Sequence, residues 1–197
     1  MSQDFLALID RVRTPHVEAY AKWLKEQIKE NPLGAGEHLF EIQAETNFAR
    51  KLCRVDFVLM SGDNAARKEF STGKIVGFPP MEGEVEGIRV QLQPFRWDNM
   101  IVEIPDAIWD KDLTIAWFNK WFGFRNDSPV RSPKDKPGEH IHICAWVEPG
   151  QLRLDLGSAP SLALLELIKV GQQSGASHVV IRDVAYTPPP GDTSPLG

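Results

Sequence analysis

The feature that most restricts the fold is a run of short segments in which apolar and polar residues alternate, framed by stretches of helical periodicity. Phe40, Ile42 and Ala44 alternate with Glu41, Gln43 and Glu45; Val55, Phe57 and Leu59 alternate with Arg54, Asp56 and Val58. Ile88, Val90 and Leu92 alternate with Arg89, Gln91 and Gln93, and Met100, Val102 and Ile104 close the run. A period of two puts successive side chains on opposite faces, so these segments read as half-buried antiparallel strands. Lys74 to Phe78 offers one more strand, and Pro79-Pro80 with Gly83 a loop.

Helical signals flank the strands. Phe5, Leu8, Ile9 and Val12 predict a first helix over 3–12. Thr14-Pro15 reads as an N-cap and first turn, opening a second helix with Val17, Tyr20, Ala21, Leu24 and Ile28 on its buried stripe. Asp112 is expected to cap a third helix over 113–123, and Ser158 and Pro160 to open a fourth that ends near Gln173, before Gly175. Between them, His140–Val147 and Leu152–Leu156 flank the turn Glu148-Pro149-Gly150-Gln151, and His178–Tyr186 is a last strand. The expected fold is α+β: a mostly antiparallel sheet of about seven strands, with two N-terminal and two later helices packed on it. The last strand–helix–strand is expected to add a parallel pair.

A chain of 197 residues can bury about 70% of its unfolded surface, enough for one core, so 1–186 is expected to form a single domain. The Pro/Gly-rich stretch 187–197 has no apolar anchors and reads as a flexible tail. A net charge of −5 and no basic stripe argue against nucleic-acid binding. No apolar run is long enough to span a bilayer, and residues 1–12 lack the pattern of a signal peptide. Cys53 and Cys144 are isolated, which fits a reducing compartment, so the cytoplasm is the expected location.

Two constellations carry possible chemistry. If Val147 pairs with Leu152, Ala145 opposes Leu154 and Ile143 opposes Leu156, all on an apolar face. The other face then presents His140, His142 and Cys144, with Asp155 opposite Cys144. His140, His142 and Asp155, with Cys144 as a fourth, are the candidate zinc ligands of a metal-assisted hydrolase, because zinc accepts nitrogen, sulfur and oxygen donors together. Against this stands ordinary packing, since no HExxH or paired CxxC accompanies the strand.

The second is the stretch 113–124. On a helical wheel, Trp117, Phe118, Trp121 and Phe122 spread with Leu113, Ile115 and Phe124 over an arc of about 200°. A helix lying on a sheet buries roughly half that width, so the excess is either enclosed on two sides or offered to a partner. No serine-nucleophile elbow or phosphate loop appears. The leading expectation is therefore a non-catalytic, cytoplasmic protein-binding module with an acidic surface, of the chaperone-like or toxin-neutralising type, binding through Trp117, Phe118, Trp121 and Phe122. No cofactor is required for that role. A metal-dependent hydrolase and a carrier of small apolar ligands are the competing expectations.

Overall fold

The computed structural model describes residues 3–43, 47–61 and 64–186. Ala44 and Glu45 of the first expected strand, and the expected tail 187–197, lie outside these residues. In chain order the elements are α1 (Gln3–Glu30), β1 (Ala35–Glu41), β2 (Leu52–Ser61), β3 (Asn64–Lys68), β4 (Met81–Val85), β5 (Ile88–Leu92) and β6 (Met100–Glu103). There follow α2 (Lys111–Phe122), β7 (Phe124–Arg125), β8 (Ser128–Pro129), β9 (Ile143–Glu148), β10 (Gln151–Asp155), α3 (Ser161–Gln173) and β11 (His178–Asp183).

The fold is α+β with a mixed sheet, but its inventory corrects the expectation. Among the described residues there are three helices, one N-terminal and two later, and eleven strands in three sheets. The two expected N-terminal helices are one, because α1 continues through Pro15. Phe5, Ile9, Val12, His16, Tyr20, Leu24 and Gln27 are all buried at intervals of three or four, so one stripe runs past the proline while Pro15 itself faces solvent. An interior proline costs about 3 kcal/mol. Burying Tyr20 and Leu24 offsets it, at roughly 1.5–3 kcal/mol for a large apolar side chain. The first half of α1 joins the main core, and the second packs Tyr20 and Leu24 on Phe57 of β2. This helix therefore ties two sheets together.

Sheet one is antiparallel in the order β1-β2-β3; sheet two runs β4-β5-β11-β6-β10-β9; β7 and β8 form a short hairpin. Within sheet two the β5–β11 pair alone is parallel. The expected parallel neighbours β10 and β11 are separated by β6. The segment 74–78 forms no strand; its Val76 and Phe78 pack against the core instead. Helices α2 and α3 pack on one another, and α3 lies against β5 and β11. Asp110, rather than Asp112, caps α2 by accepting a hydrogen bond from Leu113 N.

The β9–β10 hairpin also departs from the expected register. Glu148 pairs with Gln151, and an irregularity then slips the ladder so that Leu152 faces Trp146, Leu154 faces Cys144 and Asp155 faces Ile143. One residue of slip exchanges the faces of β9. Cys144 thus goes into the core beside Leu152 and Leu154, while Ile143 and Ala145 share the other face with Arg153 and Asp155.

Candidate functional site

The junction of the two large sheets holds a buried polar assembly, and its centre is Glu37. This residue sits in β1 with φ 46°, between the register pairs Gly36–Phe57 and His38–Val55. A left-handed conformation at a glutamate is strained, and such strain persists where surrounding contacts over-determine it. The carboxylate supplies those contacts. It accepts hydrogen bonds from Ser158 Oγ, from Ser132 Oγ at 2.7 Å and from Gly138 N at 3.0 Å. His140 Nδ1 lies 3.3 Å and His142 Nε2 3.5 Å away. Burial alone would raise its pKa, but the bond with His140, the close contact and charge of His142 and the bond from Ser158 hold it far below the usual carboxylate range.

His142 is shared among three carboxylates. Its Nδ1 is 3.1 Å from Asp56 Oδ1 and 3.8 Å from Asp155 Oδ2, while Nε2 faces Glu37 Oε1. The 3.5 Å contact to Glu37 is an ion pair rather than a well-formed hydrogen bond. Burial works to lower the pKa of His142, and the charge of Asp155, the bond to Asp56 and the contact with Glu37 override it, so the pKa is held well above the ordinary range. The backbone fixes the ring: His142 N donates to Asp155 O, and His142 O accepts from Arg54 N. Gly157 completes the seat. It has φ 50°, and a Cβ there would stand 2.2 Å from the His142 ring.

Arg54 of β2 braces the assembly from behind. Its buried guanidinium donates to the carbonyls of Phe122, Val130 and Glu37 and to Ser132 Oγ. Burial lowers its pKa to about 10, against the raising effect of Glu37, and it stays charged at neutral pH.

In front lies an open cleft of about 470 Å³ between the sheets. Val55 and Asp56 of β2, Ile143 and Ala145 of β9, and Asp155 of β10 form its walls, and the exposed residues Arg67, Glu69, Ser71 and Arg153 stand at its mouth. Asp155 is the carboxyl best placed for chemistry. Its Oδ1 accepts from Gly157 N at 2.8 Å, and its side chain keeps 25% of its surface exposed. Burial first, then the charges of Asp56 and Asp98, push its pKa up to about 7, with His142 and the Gly157 amide pulling the other way. A carboxyl poised there can give or take a proton at neutral pH.

The expected site residues are distributed as follows. His140, His142 and Asp155 enter one network, but around Glu37 and Asp56 rather than around a shared point. His140 faces Glu37 and Ser132, and His142 faces Asp56 and Asp155. Among the described residues no group of three or more His, Cys, Asp or Glu side chains is arranged to hold a metal ion. Cys144 is fully enclosed, and burial pushes its thiol pKa up. Nor do Ser132, His140 and Glu37 form a nucleophilic relay, because serine and carboxylate meet the same ring nitrogen, Nδ1, instead of opposite ones. In the aromatic helix, Trp117, Phe118 and Phe122 are buried in the core, and Trp117 Nε1 donates to Ala163 O. Trp121 is half-buried under Lys120, with Nε1 donating to Glu166. Sequence reasoning missed Glu37, Arg54, Asp56 and Ser158. Asp56 left a trace, an acid inside the run Val55-Asp56-Phe57-Val58-Leu59, whereas Glu37 left none.

Comparison with family models, with curated proteins and with solved structures finds no match, so the functional reading rests on this geometry.

Proposed function

We propose that the protein binds a small polar molecule in the cleft between its two large sheets, and that Asp155 exchanges a proton with that molecule. One observation carries the reading: a carboxyl held by the Gly157 amide, open to a cleft on one side and facing, at 3.8 Å, an imidazolium shared with Asp56 and Glu37. Three carboxylates and an imidazolium taken out of water are expensive to assemble for stability alone. Such clusters, with shifted proton affinities beside a cleft, concentrate at working sites.

The alternatives draw less support. Core burial of Trp117, Phe118 and Phe122 removes most of the apolar arc that motivated docking of a protein partner. A carrier of apolar ligands fits poorly with a cleft lined by aspartates and arginines.

A fragment screen by ¹H–¹⁵N NMR on the intact chain tests the proposal. Fragments should shift the amides of Asp56, Phe70, Ile143 and Asp155 together, and Asp155→Asn should alter the pH dependence of binding around neutrality. If no fragment maps to the cleft, or the pH dependence survives unchanged in Asp155→Asn, the proposal falls.

A further inference from the structure

Resting on the cleft as a binding site, we infer that its ligand is a small hydroxy acid: a single carboxylate held at the mouth by Arg67 and Arg153, and a hydroxyl that meets Asp155. Four arginines line the cleft, and two of them are closed. Arg96 makes a two-point bond to Asp183, with Nε–Oδ2 at 2.8 Å and Nη2–Oδ1 at 3.1 Å. Arg54 is buried, its donors spent on carbonyls and Ser132. Arg67 and Arg153 are exposed, and among the described residues neither has a carboxylate within ion-pair distance. Arg67 comes from β3 of sheet one and Arg153 from β10 of sheet two, so each sheet brings one free cation to the mouth. Both are steadied without losing their ends. The Arg67 guanidinium lies 4.0 Å over the ring of Phe40, and Arg153 donates from Nε to Asn99 Oδ1 at 3.2 Å, leaving the Nη groups of both without a hydrogen-bond partner among the described residues.

Four carboxylates line the same cleft, and one oxygen inside it is open. Asp56 is occupied by Phe70 N at 2.8 Å and by His142. Asp98 accepts from Ser71 Oγ at 2.6 Å, and its other oxygen is buried, closed to the cleft. Glu69 is exposed to solvent at the mouth. Asp155 has Oδ1 bonded to Gly157 N, while Oδ2 is 3.8 Å from its nearest cation, beyond hydrogen-bond length. Unused capacity thus stands at two places: guanidinium donors at the mouth, and Asp155 Oδ2 within.

A guanidinium fork matches a carboxylate in shape and charge. One negative charge suits the mouth better than two, because the aspartates and Glu69 that share the cleft repel a dianion more strongly. The group at Asp155 is set by the carboxyl's two forms. Its pKa of about 7 leaves both present at neutral pH, the ionised one an acceptor only and the protonated one also a donor. A hydroxyl both gives and accepts a hydrogen bond and so fits either form; a group with donors alone fits one. Phe48, Phe70, Ile143 and Ala145 give the walls between these points an apolar lining, which suits a short hydrocarbon body.

The test titrates four probes of similar shape into the intact protein at pH 7, followed by ¹H–¹⁵N NMR: mandelate, 1-phenyl-1,2-ethanediol, phenylacetate and benzyl phosphate. Mandelate should bind in the cleft at least ten times more tightly than the diol, which lacks the carboxylate, and at least three times more tightly than phenylacetate, which lacks the hydroxyl. Arg67→Gln and Arg153→Gln, both at exposed positions, should each weaken mandelate at least fivefold and leave the diol unchanged. Equal or tighter binding of the diol, or mandelate binding that survives both substitutions, overturns the anion inference and leaves the cleft reading intact. Phenylacetate as tight as mandelate removes the hydroxyl, and benzyl phosphate tighter than mandelate removes the single charge; either overturns the hydroxy-acid assignment. If none of the four binds while other fragments do, the assignment falls alone; if the general fragment screen is empty as well, both readings fall.

Discussion

Exchanging Glu37 for Gln keeps the shape of the side chain and removes the negative charge at the middle of the assembly. In the wild-type chain that charge faces His140, His142 and, through the shared Ser132, the Arg54 guanidinium. Removing one partner of a buried ion pair costs about 3–5 kcal/mol, because the other charge stays buried without compensation. A chain of this size loses about 2–4 °C of melting temperature per kcal/mol, so the midpoint should fall by roughly 6–20 °C at pH 7. The pH dependence separates a charge effect from a shape effect. Glu37 has a depressed folded pKa, so its contribution is present above the unfolded value of about 4.3 and is lost as pH falls through the folded one. His142 has a raised folded pKa, so its contribution is full below about 6.5 and is lost as pH rises through the folded value. The gap between wild type and Glu37→Gln should therefore be widest between about pH 5 and 7 and narrow on either side. Urea denaturation followed by circular dichroism at pH 3, 6 and 9 measures this. A gap under about 1 kcal/mol at pH 6, or one that does not vary with pH, refutes the charged network.

Further outcomes follow from the same contacts. Pro15→Ala should raise stability by about 1–3 kcal/mol by restoring an interior helical hydrogen bond, since Pro15 is exposed within α1; a loss of stability would show that the proline matches a real break. Arg54→Lys should cost about 2–4 kcal/mol, because an ammonium cannot reach the Phe122 and Val130 carbonyls and Ser132 together; denaturation within 1 kcal/mol of wild type would contradict this. A ¹³C titration of the Asp155 carboxyl should show a midpoint near 7. Because that folded pKa is raised above the unfolded value, Asp155's own contribution to stability should fall as pH climbs from about 4 to 7, and Asp155→Asn should flatten that slope. Trp117→Phe should destabilise by about 2–3 kcal/mol in thermal unfolding, through lost volume and the lost bond to Ala163 O.

Periodicity in the chain located most of the elements. It found the strands around residues 55, 90 and 102, the aromatic helix, the leucine-rich helix and the last strand, because each buries a face and its pattern records that face. It failed where a local rule was outvoted. Thr14-Pro15 carries a clear start signal, yet the stripe from Phe5 to Gln27 buries enough surface to keep one helix going. The hairpin register failed because a single irregularity beside the turn shifts β9 by one residue and exchanges its faces. That slip sent Cys144 to the core and put Ile143 and Ala145 on the cleft.

What the sequence determined by itself is local: an α+β chain with half-buried strands, an aromatic and a leucine-rich helix among them, and His142 and Asp155 close enough along one hairpin to meet. Tertiary structure decided the division into separate sheets and the composition of the site. Glu37 and Asp56 reach His142 from β1 and β2, about a hundred residues away along the chain, once α1 has joined the two sheets. Alternation records whether a side chain is buried, but carries no information about which distant strand it faces, and the charges in this site act across that distance.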